Sequence, residues 1–231
     1  MSRKSESRAE TAKLARLLGV EDLQALSFLL PVAAPELRDY REAVTNLLYD
    51  DDQELLQRTA DAARMLPART LAAIGESALG PLICARLTGL IDPHRAVEIS
   101  SHFTIDFLAQ LAAELDPRRA VEVVTAITTD TLVVVSTLMA ANGEHVAMGR
   151  FVAYLDDATL GLCVEALSDE DLLQVAFVME GEERLTAVFE IVGTARTKRI
   201  LAAAHSYGLD EQARHVAALL KSLRAGQRGA G

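Results

Sequence analysis

The sequence predicts an all-α chain whose middle is a solenoid of helical-hairpin repeats of about 25 residues. Three observations lead there. An apolar stripe at offsets 0, 3 and 7 recurs at Cys84/Leu87/Ile91, Leu108/Leu111/Leu115 and Leu132/Val135/Met139. It returns at Leu160/Cys163/Leu167, Leu185/Val188/Val192 and Val216/Leu219/Leu223, and such spacing marks one face of a 3.6-residue helix. The first five copies lie 24, 24, 28 and 25 residues apart. The half-repeats before them also align, as Pro67-Ala-Arg-Thr-Leu, Pro93-His-Arg-Ala-Val and Pro117-Arg-Arg-Ala-Val, with Thr194-Ala-Arg a degenerate relative. No stretch alternates apolar and polar residues as a half-buried strand would.

Taken in order, residues 1–8 read as a polar, disordered tail. Helices follow over 9–18, stopped by Gly19, and from about 21 to Leu30, stopped by Pro31. A longer one starts at Pro35 and reaches Tyr49, and the acidic run Asp50, Asp51, Asp52 caps a fourth that extends to Leu66. These four lack the repeat and read as an N-terminal cap over 9–66, because a terminal unit must expose a polar outer face. The array occupies 67–193. Its model unit is 93–116, where Asp92 caps and Pro93 opens a short helix, Ser100 and Ser101 weaken it, and Thr104 caps the second. A helical pair follows over 194–225, and 226–231 reads as a second disordered tail. No linker separates two domains, so one structural domain is expected.

Composition narrows the class. Apolar residues make up 50% of the 231, aromatics 4%, and tryptophan is absent. That balance suits thin, closely packed helices and does not suit a deep pocket with aromatic walls. The longest apolar stretch, 131–141, is about half a bilayer span, and the polar N-terminus has no signal-peptide core, so a cytoplasmic protein with no transmembrane segment is expected. Cys84 and Cys163 sit in the stripes and read as small apolar core residues rather than a redox pair. Net charge is −10. With a pI near 5.0 and no basic–aromatic interleaving, nucleic acid is not an expected partner.

The polar candidates each carry two readings. Arg69, Arg95, Arg119 and Arg196 share one repeat position, so a solenoid would stack them into a ladder of guanidinium forks able to bind an acidic partner. Against that, Glu98 and Glu122 lie three residues on from Arg95 and Arg119, within reach for local surface pairing. His102 and Asp106 would share a face only if Thr104 did not break the helix between them. The Asp50–Asp52 run reads as a helix cap before it reads as a magnesium site. His94, His145, His205 and His215 are scattered through different helices. Phosphate loops, nucleophile elbows and zinc-spacing motifs are all missing, so no catalytic residue, metal ligand or cofactor is assigned.

The units, above all Ala-Glu-Leu-Asp-Pro-Arg-Arg-Ala-Val-Glu-Val-Val at 113–124, resemble the N-terminal superhelical repeats of MgtE-type magnesium transporters. More distantly they resemble the middle region of the flagellar switch protein FliG. The resemblance covers about 67–192 and does not extend to CBS modules, membrane helices or the Glu-His-Pro-Gln motif of the flagellar relative. It implies a right-handed α-superhelix and a regulatory or assembly role, and no ion-binding residue is carried over. Arginine far outnumbers lysine, 19 to four, which hints at a GC-rich bacterial genome.

Two functions follow as expectations. The first is a non-catalytic scaffold that holds a protein partner, with homo-oligomers also open. The second is a small-molecule or lipid binder with an apolar internal groove. It is motivated by the apolar segment 131–141, a mean hydropathy of +0.18, and Met139 and Met148 as adaptable walls.

Overall fold

Helices, several of them started or stopped by their own side chains, set the architecture. A computed structural model describes residues 3–20, 22–50, 53–179 and 182–229, and among these every regular element is helical. The elements are α1 (Arg3–Leu18), α2 (Ala34–Asp50), α3 (Gln53–Ala63), α4 (Ala68–Ile74), α5 (Gly80–Thr88), α6 (Pro93–Ser100) and α7 (Ile105–Glu114). After them come α8 (Val121–Ala126), α9 (Thr129–Ala141), α10 (His145–Phe151), α11 (Asp157–Ala166), α12 (Asp169–Val178), α13 (Glu182–Ala203) and α14 (Asp210–Gly229). Leu23–Leu29 is a 3-10 helix rather than the expected α-helix. The Asp22 carboxylate takes the Gln24 N–H at 2.9 Å, two residues on, which closes a tighter turn than an α-helical cap.

The 93–116 unit forms as its residues dictate. Asp92 accepts from the Arg95 N–H at 3.1 Å and Pro93 opens α6. Ser100 and Ser101 then turn their hydroxyls onto the Val97 and Glu98 carbonyls, at 2.8 and 2.7 Å, and the helix stops. Thr104 caps α7 through the Phe107 N–H. The next start looks the same in sequence and folds differently. Asp116 takes the N–H of Arg118, two residues on, so 117–120 form a turn and α8 begins only at Val121.

The chain divides into two compact units, Tyr49–Ala166 and a second made of Met1–Leu48 with Leu167–Gly231. Helices assigned to an N-terminal cap and to a C-terminal pair share a unit, and α3 falls with the helices that follow it.

In the 49–166 unit, α5 packs on α7, α7 on α9 and α9 on α11, while α4 packs on α6 and α6 on α8. The core between them gathers Cys84, Ala85, Phe107, Leu111, Leu115 and Val123. One stretch, Ala68–Thr88, has the length and hydropathy a membrane span would need. It is broken at Gly80, whose φ of +77° and ψ of 171° are not helical, and α5 lies against α3 and α7.

In the other unit, α1 packs on the Leu23–Leu29 turn, α12 and α14, and α12 also packs on α13. Leu14, Leu173, Ile200 and Val216 are its most completely enclosed apolar side chains. The helix α13 is two helices joined at Gly193 (φ +76°), the glycine at which the sequence places the end of the array.

Residues 1–8 correct the sequence reading. The described part is helical from Arg3, and Ser5 and Ser7 are buried. Ser7 donates to the Val32 carbonyl at 2.7 Å and Thr11 to the Ser7 carbonyl at 2.7 Å, so these two find partners inside, whereas the buried Ser5 hydroxyl has none among the described residues. At the other end α14 continues to Gly229, past the expected stop at Gly226. Asp51, Asp52 and the side chains of Asp50 and Leu223 lie outside the described residues, so the cap expected at 50–52 and the last stripe position are not placed.

Candidate functional site

The stripe residues explain both the core and its gap. Cys84, Leu87, Leu111, Leu115, Val135 and Met139 are buried, whereas Ile91, Leu108 and Leu132 are only half-covered. Helices α5, α7 and α9 carry these positions, and small residues opposite them (Ala62, Ala63, Ala96, Ala112) do not fill the space. The result is a cleft of about 290 Å³ inside the 49–166 unit.

Its lining is aliphatic, with Phe103 and Phe151 the aromatic contributions. Phe103 stacks on Phe107 at 4.7 Å, tilted by 38°. Gly75 permits that position, because a Cβ there would stand 2.9 Å from the Phe103 ring and 3.1 Å from the Cys84 sulfur. Gly75–Leu79 is a π turn, an irregularity that recurs at functional sites. The low aromatic content, taken from composition to argue against a pocket, does not prevent one: leucine, isoleucine and valine build these walls. Segment 131–141 contributes Thr131, Leu132 and Val135, whereas Met139 and Met148 are buried elsewhere and do not line the cleft.

Every hydroxyl facing the cleft is already engaged. Thr59 donates to Leu55 at 2.9 Å, Thr88 to Cys84 at 2.8 Å and Ser100 to Val97 at 2.8 Å, while Thr131 pairs with Thr128 at 2.8 Å. Burial pushes the Cys84 thiol up to about 11, so it is neutral and weakly nucleophilic. Lysine, arginine, histidine and carboxylates are missing from the lining. The cleft can therefore receive apolar matter and has no group with which to do acid–base or nucleophilic chemistry.

The four arginines are placed differently from one another. Arg95 on α6 pairs with Glu98 at 2.6 Å and donates to the Leu66 carbonyl, 29 residues earlier. Arg196 on α13 donates to the Leu167 carbonyl at 2.6 Å, also 29 residues earlier, and to Asp169 at 2.8 Å. Both thus hold a helix-end carbonyl of the preceding hairpin, where backbone acceptors lack intrahelical partners. Arg119 lies 3.9 Å from Asp116 rather than beside Glu122. Arg69 is exposed on α4. Arg69, Arg95 and Arg119 fall in one unit and Arg196 in the other.

The sequence reading did not single out Asp116, which is the focus of the most concentrated charge in the 49–166 unit. It is 1% exposed and accepts from Arg118 Nε at 3.1 Å and Nη2 at 2.9 Å, with Arg150 Nη2 at 3.2 Å. Burial works to raise its pKa, but the Arg118 hydrogen bonds and the Arg150 charge prevail and hold it below the ordinary carboxylate value. In the other unit, Asp169 is lowered chiefly by the Arg199 hydrogen bond at 2.7 Å and then by Arg196. Glu10 is buried there among Lys13 at 2.8 Å and Arg38 and Arg41 at 3.3 Å.

His102 and Asp106 are separated by the Thr104 cap and do not share a helix. His205 meets Asp210 at 3.0 Å on the surface, and His215 lies edge-on to Phe177 at 5.3 Å. Among the described residues no three His, Cys, Asp or Glu side chains gather as metal ligands. Comparison with known protein families, curated proteins and solved structures finds no match to this chain.

Proposed function

We propose that the chain is a non-catalytic, cytoplasmic interaction scaffold built on a right-handed α-superhelix of the kind seen in MgtE N-terminal repeats, holding a protein partner. The observation that carries the reading is the order of packing, in which alternate helices of the 49–166 unit lie on one another in sequence as two rows. Such an arrangement offers extended surface, and binding strength then comes from area rather than from reactive groups. Exposed apolar side chains on and just after α3 support it, with Leu55 63% and Met65 87% exposed. Arg69, exposed on α4, is the arginine best placed to meet an acidic partner. Arg95 and Arg119, and Arg196 in the other unit, are each engaged by groups of their own unit.

A photo-crosslinking residue placed at Met65 tests this in the native host. The expected result is one protein covalently captured at Met65, lost when Arg69→Glu is added, and no capture from a control position at Glu144. Equal capture at both positions, or none at either, would sink the scaffold reading.

A further inference from the structure

We infer that the cleft of the 49–166 unit binds one uncharged molecule with a single medium-length alkyl chain, headgroup at the mouth and chain within. Size sets the occupant first. An engineered cavity of about 150 Å³ holds one benzene, so about 290 Å³ suits roughly ten to twelve carbons on the same scale. It is too small for a helix of a partner protein.

Chemistry sets it next. The four hydroxyls in the lining are already bonded within their own helices, so what they still offer a ligand is chiefly acceptor lone pairs, enough for a neutral O–H and not for an anion. Water in a cleft lined this way finds few partners, and an alkyl chain that displaces it gains contacts with the aliphatic walls. Entry is provided for: Leu66, Ile74 and Leu79 line the cleft and yet remain 40%, 37% and 36% exposed, forming an apolar mouth.

Charge decides the headgroup. The unit carries 17 Asp or Glu against eight Arg and no Lys. No cation lines the cleft among the described residues, and Arg95, which reaches the mouth at the Leu66 carbonyl, is already paired with Glu98, so a carboxylate or phosphate head would meet a net acidic surface with no unengaged cation in the lining. A fatty alcohol or ester fits, and a fatty acid anion does not.

The test uses the full chain and displacement of the neutral dye N-phenyl-1-naphthylamine by hexanol, octanol, decanol and tetradecanol, with decanoate alongside. The expected outcome is one site per chain, affinity rising roughly fourfold per added methylene up to decanol and levelling before tetradecanol. Decanoate should bind at least tenfold more weakly than decanol. Two variants locate the site: Ala112→Phe fills the interior and Ala62→Phe, on the exposed rim, narrows the mouth. Each should lose tenfold or more in decanol affinity with its helical circular dichroism unchanged. Several results would overturn the inference: no saturable binding, binding that Ala62→Phe retains, or decanoate equal to decanol. Displacement by a basic amphipathic peptide but not by alcohols would overturn it too, in favour of a peptide occupant.

Discussion

The two units bury opposite kinds of side chain. The 49–166 unit encloses almost only apolar groups, with Asp116 the one buried charge among its described residues, and leaves room between them. The other unit threads a polar helix, α1, into its interior, with Ser7, Glu10, Thr11 and Lys13 each less than a twentieth exposed, and matches them with partners. The difference teaches that apolar pattern alone does not fill a core. Short helices rich in alanine meet at their stripes and leave a gap where the opposing residue is small, whereas a directed polar network fixes its helix tightly or not at all.

The comparison is broken most severely at Glu10. Glu10→Ala removes the buried carboxylate that Lys13, Arg38 and Arg41 share, and breaking a buried ion pair costs about 3–5 kcal/mol. Urea unfolding should show it, and hydrogen exchange should place the loss in α1, α12 and α14. A loss under about 1 kcal/mol would mean that the cluster is solvated, and the contrast between the units would weaken.

Overpacking sharpens the contrast. Ala15→Phe, in the other unit at a buried site 3% exposed, adds a ring to a packed position and should cost about 1–3 kcal/mol. Ala112→Phe points into existing space and should be neutral or stabilising. Equal costs at the two positions would show that the cleft closes in solution.

How far the sequence shows all this depends on whether the partners are local. The stripes, the Asp92–Pro93 start, the Thr104 cap and the break at Gly193 are legible because each rests on residues within a few positions. The burial of α1 is not, since Ser7 is satisfied by Val32 and Glu10 by Arg41, 25 and 31 residues away. Asp92 and Asp116 look alike in sequence, and which N–H each takes, at i+3 or i+2, decides helix or turn. The cleft is half legible: the stripe positions at Ile91, Leu108 and Leu132 are read correctly as inward, but only the packed neighbours show that they are left partly uncovered.

Acid should separate the units by pH window. Burial chiefly lowers the His215 pKa below its ordinary 6.5, with Lys13 adding to the effect and Glu6 and Glu211 opposing it. The unfolded chain then binds the proton more readily, so this stability is whole above about pH 6.5 and is lost as pH falls towards the folded value. Asp116, held below 3.8, contributes stability that persists until pH drops through that range. Hydrogen exchange at pH 5 should find α12 and α14 loosened and α7 to α9 unchanged. His215→Phe should abolish the first effect, and Asp116→Asn the second, which begins only below about pH 4. Loosening of both units together at pH 5 would remove His215 from the account.

The smallest effects belong to the arginines, and they separate structure from recognition. Arg95 gives up part of its freedom to hold the Leu66 carbonyl, and its side chain is 25% exposed, so Arg95→Ala should cost about 1 kcal/mol. Arg69 is exposed on the same kind of first turn and should cost nothing measurable. If the ladder were purely structural, Arg69→Ala would change neither thermal unfolding nor capture at Met65. If the repeat position also serves recognition, capture alone falls, because the arginine whose fork is not turned inward is the one left to face a partner. Thermal unfolding of the two alanine variants, read beside the crosslinking yield, tells these apart: loss of capture with unchanged stability at Arg69 is the outcome that a packing role does not produce.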